Sequence, residues 1–301
     1  MTRVADMDGR VIAVTGAAGG LGRAYVLELA AHGARLVLND LGVGRSGEGG
    51  DPSVIADLAD EVRAGGAEVV TNADDISTPE GARRLLDTGI KAFGQVHALI
   101  NSGGMLRDRM FVSMDVEDLD AVVAGHLRAH FCPTRAFAGY WRERAKAGEP
   151  VDAAVVMTTS NAGLFSQPGQ SNYAAAKAAI AGLTVTLADE LERYGARVNA
   201  VSPAARTRMT TAVPGMAEMV AAPDDPDAFD VFDPANVAGV VAWLVAPGES
   251  VTGQVVFVRG GELKVLRGWR YADERGREGR WELDDLRREF AGHDWERTPR
   301  A

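Results

Sequence analysis

Thr15-Gly16-Ala17-Ala18-Gly19-Gly20-Leu21-Gly22 follows an apolar run at 11–15 (VIAVT) and precedes a helical pattern over about 20–32. A run apolar throughout reads as a strand covered on both faces, and small residues at its end permit a tight turn into a helix. Gly16, Gly20 and Gly22 give the spacing G-x-x-x-G-x-G, with a further glycine at Gly19 and Leu21 enclosed. Such a turn lets backbone N–H groups approach a pyrophosphate, which the positive N-terminus of the next helix also attracts. The spacing departs from the G-x-G-x-x-G dinucleotide fingerprint, and any tight corner favours glycine, so position after the first strand gives the turn its weight.

Outward from this turn the rhythm repeats. Short apolar runs at 35–39, 68–71, 96–100, 153–159, 196–201 and 254–258 alternate with helical patterns at about 53–65, 79–93, 115–145, 172–194 and 235–246. Alternation of this kind predicts βαβ units and an α/β fold, a doubly wound parallel seven-stranded Rossmann sheet. One domain over 1–261 is expected, with 262–301 as a C-terminal extension packed on it. In that extension Leu283, Leu286 and Phe290 share a helical face, which predicts a docked amphipathic helix. Residues 41–52 are glycine-rich and polar and read as a surface loop. Residues 203–234 carry five prolines and read as a mobile flap with one short helix near 209–220.

The chain has 301 residues, 46% hydrophobic and 25% charged, which is an ordinary globular mixture. Acidic residues outnumber basic ones 42 to 32, for a formal charge of -10. That balance argues against nucleic acid or an anionic membrane as the main partner, since both reward basic faces. A single cysteine, Cys132, leaves no internal disulfide and reads as a small buried hydrophobe. No uncharged apolar run approaches the ~18 residues of a membrane span. Neither the opening Met1-Thr2-Arg3-Val4-Ala5-Asp6 nor the closing Thr298-Pro299-Arg300-Ala301 reads as an address, so a cytoplasmic location is expected.

Asp40 ends the second apolar run, 18 residues after Gly22. A carboxylate there can accept both hydroxyls of an adenosine ribose and would repel a 2′-phosphate. Neither Gly19 nor Leu41 is basic, so NAD is expected over NADP; the plain alternative is that Asp40 caps a turn with Gly42. Asp75-Ile76 and Asn101-Ser102-Gly103-Gly104 also fall at carboxyl ends of strands, which line the ligand crevice of an open α/β sheet. Tyr173-Ala174-Ala175-Ala176-Lys177 opens a long helical pattern, and the i, i+4 spacing puts tyrosine and lysine on one face. An ammonium beside a phenol favours the phenolate, and a bound nicotinamide cation would add to that effect. Ser160, 13 residues before Tyr173 at the end of a strand, can hold a reacting oxygen as charge develops on it. No His/Cys/Asp cluster suggests a metal.

These residues together resemble the short-chain dehydrogenase/reductase family over about 8–261. TGAAGGLG, NSGG, Ser160, YAAAK and NAVSP carry the resemblance, with Ser102 departing from the family's usual NAG. It implies strand order 3-2-1-4-5-6-7, with Tyr173 as acid/base, Lys177 as its activator and ribose ligand, and Ser160 as holder of the substrate oxygen. Cofactor contacts are implied for Gly16, Gly19, Gly20, Leu21, Gly22, Asp40, Asp75, Ile76, Asn101, Gly103, Tyr173, Lys177, Ala205 and Thr207. Ala204-Ala205-Arg206-Thr207 lacks the family's glycine after proline, and Thr207 takes the carboxamide position.

A narrower resemblance, in Asn39-Asp40-Leu41-Gly42, Leu106-Arg107-Asp108-Arg109-Met110, His126-Leu127-Arg128 and Thr207-Arg208-Met209-Thr210, is to the (3R)-hydroxyacyl-CoA dehydrogenase unit of peroxisomal multifunctional enzymes type 2 and to bacterial steroid side-chain β-oxidation dehydrogenases. It implies oxidation of a 3-hydroxyacyl-CoA, with a sterol-derived acyl group as one candidate. His126 would stand where many members place a relay asparagine, the bland reading being a packed helical histidine. Arg107, Arg109, Arg206 or Arg208 could pair with CoA phosphates, or be solvated surface arginines. The rival readings are a 17β-hydroxysteroid or other secondary-alcohol dehydrogenase, an NADPH-dependent 3-oxoacyl carrier-protein reductase, and a non-catalytic nucleotide-binding scaffold. The family implies a homodimer or homotetramer.

Overall fold

The computed structural model describes residues 7–44, 46–51, 53–165, 167–211, 215–268, 271 and 274–293. The terminal stretches read above, 1–6 and 298–301, lie outside the described residues. Strands and helices follow in the order β1 (Val11–Thr15), α1 (Gly20–Ala31), β2 (Arg35–Asn39), α2 (Ser53–Ala64), β3 (Val69–Asn72), α3 (Pro79–Phe93), β4 (Ala98–Asn101), α4 (Val116–Val123), α5 (Ala129–Lys146), β5 (Ala153–Thr158), α6 (Asn161–Leu164), α7 (Ser171–Leu191), β6 (Ala196–Pro203), α8 (Arg208–Thr211), α9 (Met216–Met219), α10 (Ala235–Val245), β7 (Val255–Arg259), β8 (Glu262–Leu266) and α11 (Leu283–Glu289).

The sheet order is β3-β2-β1-β4-β5-β6-β7-β8. The first seven strands are parallel, and β8 alone runs antiparallel, against β7. The sheet therefore has eight strands and not seven. Arg259 pairs with Glu262 across Gly260-Gly261, and Gly260 takes φ 53, so a two-residue hairpin returns the chain along the sheet edge. Charged residues in β8 suit an edge that must not recruit another strand.

Alternate residues of each central strand feed different cores, which is why these strands are apolar throughout. Ile12, Val14, Ala154 and Val156 pack with Tyr25, Leu29, Val241 and Leu244 of α1 and α10. Val11, Ala13, Val155 and Met157 pack with Leu85, Phe137, Trp141 and Ile180 of α3, α5 and α7. Trp141 is held to one rotamer by an indole N–H donated to the Val96 carbonyl at 2.8 Å and by an edge contact with Phe137. Burying one such side chain contributes roughly 2–3 kcal/mol. Helix α3 carries the standard start and stop signals. Thr78 Oγ1 accepts the Gly81 N–H, Pro79 fills the first turn, and left-handed Gly94 ends the helix.

The helix expected over 115–145 is broken. Residues Ala124–Arg128 form a π-turn between α4 and α5. Pro133, inside the first turns of α5, has no N–H for the carbonyl four residues back. The His126 carbonyl accepts from His130 Nδ1 at 2.8 Å. Single π-turns concentrate at functional sites, because the extra residue re-aims the side chains around it.

In the expected flap, α8 and α9 replace the single helix predicted near 209–220; residues 212–214 lie outside the described residues. Arg206 ties this segment down through an ion pair with Asp230 and a bond to the Val220 carbonyl at 3.0 Å. The extension's helix forms as α11, but Leu283 and Leu286 stay exposed, so the described residues do not dock it. Short length and charges on most faces let it stand on local capping, with Glu282 and Asp285 forming a reciprocal box. Cys132 is half-buried, not buried, with Sγ 3.4 Å from the Ser77 carbonyl. Among the described residues no helix is long and apolar enough to cross a membrane.

Candidate active site

Every chemistry-bearing segment identified in the sequence lies at the carboxyl end of the parallel strands. At the β1–α1 turn, a Cβ on Gly22 would sit 2.0 Å from the Gly16 carbonyl oxygen, and one on Gly16 would sit 2.5 Å from the Gly103 Cα. Gly16 takes φ 61 and Gly20 φ 52, a region that L side chains rarely adopt. Helix α1 has no side-chain cap at Gly19 and no acidic residue in its first turn, which leaves its first N–H groups for a ligand. This cradle fits the pyrophosphate of a dinucleotide, since it supplies N–H donors and room where any side chain would intrude.

Asp40 stands beside the cradle. Oδ2 accepts the Ala18 N–H at 2.9 Å and Oδ1 the Gly42 N–H at 2.8 Å. Asp40 thus caps the turn at Gly42, the plainer of its two expected roles. The same carboxylate also joins the β2 end to the glycine turn and stays partly open to the crevice. Asp75 is exposed, its Oδ1 accepting the Ser77 N–H at 2.9 Å, and Ile76 is buried in the α3-side core. Asn101 is fully buried between β4 and α5, donating to Thr134 Oγ1 at 3.1 Å, while its own Oδ1 has no hydrogen-bond partner. Ala205 is buried on the α1 side of the sheet. Thr207 overhangs the glycine turn, 3.4 Å from where a Cβ on Gly20 would lie.

Strand β5 and helix α7 bring the proposed reacting groups together. Ser160 ends the strand in an extended conformation and its Oγ accepts the Ala162 N–H at 3.2 Å. Tyr173 and Lys177 lie on one face of α7, with the lysine Nζ 5.5 Å from the phenol ring centre. Lys177 is 2% exposed and donates to the Thr158 carbonyl at 2.7 Å. Burial pulls its pKa down to about 7. Burial pushes the Tyr173 phenol up, the Ser160 hydroxyl draws it back, and Asp108 adds to the rise. The buried ammonium is too costly to stay fully charged.

His126 reaches the site from the π-turn. Its ring meets the Tyr173 ring edge-on at 5.1 Å between centres, and Nε2 lies 2.7 Å from the Met105 carbonyl. Burial, and next the nearby Lys177, hold the imidazole pKa well below its ordinary value, so the ring is neutral. His126 Nδ1 is buried without a partner. Behind it His130, also buried and with a pKa of about 3, joins the π-turn to β5. No signal in the sequence marks His130, because its role depends on the irregular turn.

Of the four arginines considered for CoA phosphates, three are engaged. Arg107 and Arg109 both reach Asp118, and Arg206 is bound to Asp230. Arg208 is exposed and lies over Gly19.

Comparison with known proteins agrees with this geometry. Residues 10–217 match the short chain dehydrogenase family. The chain is 41% identical to the hydroxyacyl-CoA dehydrogenase ChsB1 of Mycobacterium tuberculosis, over 88% of this chain and 82% of that one. It is 36% identical to the peroxisomal multifunctional enzyme type 2 of Mus musculus over 86% of this chain but 33% of that much longer protein. A crystal structure of a short chain dehydrogenase from Mycobacterium avium superposes with a TM-score of 0.83 at 41% identity, covering 95% of this chain and 94% of the other. A glycine cradle for a nicotinamide dinucleotide, with serine, tyrosine and lysine beside it, is what such an oxidoreductase requires, and the chain belongs to the short-chain dehydrogenase family.

Proposed function

We propose that this enzyme is an NAD-dependent dehydrogenase that oxidises the secondary alcohol of a bulky 3-hydroxyacyl-CoA, with a sterol-derived acyl group as one candidate. The observation that carries the substrate class is the 41% identity to a hydroxyacyl-CoA dehydrogenase over nearly the whole chain. For the chemistry, support comes from Ser160, Tyr173 and Lys177 meeting beside the glycine cradle. When bound, the oxidised nicotinamide supplies the hydride acceptor and a positive charge next to the phenol. Ser160 donates to the substrate oxygen and holds it at the phenol. Tyr173 takes the hydroxyl proton at its phenolic oxygen. Lys177, anchored on the Thr158 carbonyl, stabilises the phenolate as an ammonium, and the proton that Tyr173 gains leaves toward solvent along Lys177 and the nicotinamide ribose. His126 packs edge-on against the Tyr173 ring and helps to fix its orientation.

Asp40 supports NAD over NADP: a carboxylate at the end of β2, fixed beside the cradle by the Ala18 and Gly42 N–H groups, would accept ribose hydroxyls and repel a 2′-phosphate. Residues 1–261 form the dehydrogenase domain in this reading and 262–301 its C-terminal extension, whose β8 joins the sheet edge. Exposed Val116, Phe131 and Val185 on α4, α5 and α7 support a homo-oligomer built on these helices. The cytoplasm is the compartment we assign, and cell fractionation checks it.

NADH formation should be measured on a panel of 3-hydroxyacyl-CoA esters, the matching free acids and 17β-hydroxysteroids. We expect kcat/KM to be highest for a bulky CoA ester, and at least tenfold higher with NAD than with NADP. Equal rates on ester and free acid would remove CoA from the reading, and an NADP preference would overturn the role of Asp40.

A further inference from the structure

Arg208 begins helix α8, on the segment that follows β6. Its guanidinium lies broadside over the glycine turn. Were a Cβ present on Gly19, it would meet Nη2 at 3.2 Å, and Cζ and Nε at 3.8 Å. The next residue back, Thr207, closes on Gly20 in the same way. Among the described residues no carboxylate pairs with Arg208, although the chain carries ten more acidic than basic residues (42 against 32). Beneath it is the N-terminus of α1, which has neither a side-chain cap nor an acid in its first turn. A cation held this close to a positive helix end is repulsive, and an anion that displaced the guanidinium outward and lay between them would turn both interactions favourable.

The neighbouring arginine behaves differently. Arg206 is fixed by Asp230 and the Val220 carbonyl, and its own N–H donates to the Phe232 carbonyl at 2.7 Å. It anchors the segment. Thr210 Oγ1 then accepts the Thr207 N–H at 2.7 Å and donates to the Ala205 carbonyl at 2.9 Å, which stiffens the turn carrying Arg208. Side chain 206 therefore holds the segment down, and side chain 208 projects from it over the phosphate cradle.

We infer that Arg208 is a ligand of the dinucleotide diphosphate: its exposed side chain swings off Gly19 as the diphosphate enters and grips it from above while the glycine turn holds it from below. A planar guanidinium offers two parallel N–H donors, which match a diphosphate oxygen pair. The assignment rests on the dinucleotide reading of the site. It removes Arg208 from the CoA phosphates, because the guanidinium covers the glycine turn.

Calorimetric titration of the full chain tests it, with ADP-ribose, adenosine and CoA as probes and with the parent, Arg208→Ala and Arg208→Lys proteins. Arg208→Ala should weaken ADP-ribose binding about tenfold and flatten its salt dependence, while adenosine and CoA bind as they do to the parent. Arg208→Lys should recover part of the loss. Unchanged ADP-ribose affinity overturns the assignment. So does an equal loss for adenosine, which would mean that the segment had merely collapsed, and so does a loss confined to CoA. If the parent itself fails to bind ADP-ribose, the dinucleotide reading falls first and Arg208 with it.

Discussion

At the amino ends of the strands, Asp152 lies between Arg10 and Arg197, 3.2 and 3.1 Å from their guanidinium nitrogens, and accepts the Gly248 N–H at 3.0 Å. At the carboxyl ends, Lys177 is as deeply buried as those arginines, yet its one hydrogen bond is to the neutral Thr158 carbonyl. The first arrangement stays charged: burial raises the Asp152 pKa, but Gly248, Arg10 and Arg197 together hold it below its ordinary value. The second sits near its titration midpoint at neutral pH, with burial unopposed. A buried charge with a counter-charge is a structural tie, whereas one without is poised to change state, and strongly perturbed groups collect at reacting sites for that reason.

The largest way to test this contrast is at the phenol. Tyr173→Phe should lower kcat by about a thousandfold or more, on the scale of lost acid–base catalysis, while leaving the dissociation constant of NADH within a few fold. Stopped-flow turnover and fluorescence titration separate the two, and parent-level turnover would sink the assignment of the base.

Lys177→Met should lower kcat about a hundredfold and also change how stability responds to pH. Folded Lys177 titrates near 7, below free lysine at about 10.4, so the unfolded chain holds this proton more tightly. Stability of the parent should therefore rise as pH climbs from about 7 toward about 10, the cost of the buried charge being present in full below 7. Denaturant melts across that window should show the rise in the parent and not in Lys177→Met.

Asp152→Ala should do the reverse. It strands two buried guanidinium groups and should cost about 2 kcal/mol, less than a fully buried pair would because the Asp152 side chain is 44% exposed. Its depressed pKa means that the parent's advantage over the variant is present near neutral pH and fades as pH falls through the folded value. Turnover per folded molecule should be unchanged, and a fall in kcat beyond twofold would show that the two ends of the sheet are coupled.

What could be read in advance depended on how local each signal was. The strand–turn–helix at 11–31 and the Tyr173–Lys177 spacing are set by neighbours in the chain, and the structure brings them to one crevice. The hairpin into β8 is legible in principle, because Gly260-Gly261 between two β-rich runs is a two-residue turn signal, but the Arg- and Glu-rich residues that follow make the second run look like part of the extension. The π-turn was not legible, since nothing in Ala124-Gly125-His126-Leu127-Arg128 distinguishes it from ordinary helix. What marks it is tertiary: the Met105 backbone holds the His126 ring. The apolar face of α11 was read correctly as a pattern, but pattern alone does not supply a surface for it to rest on.

The contact between Gly16 and Gly103 has a consequence for how the enzyme can change. The floor of the dinucleotide crevice is main chain laid against main chain, too thin at that point to admit a methyl group. Mutation has no side chain there to edit. Drift in cofactor preference or affinity must come from the rim, at Asp40 and on the segment bearing Thr207 and Arg208, where substitutions can be tried one at a time while the floor keeps its shape.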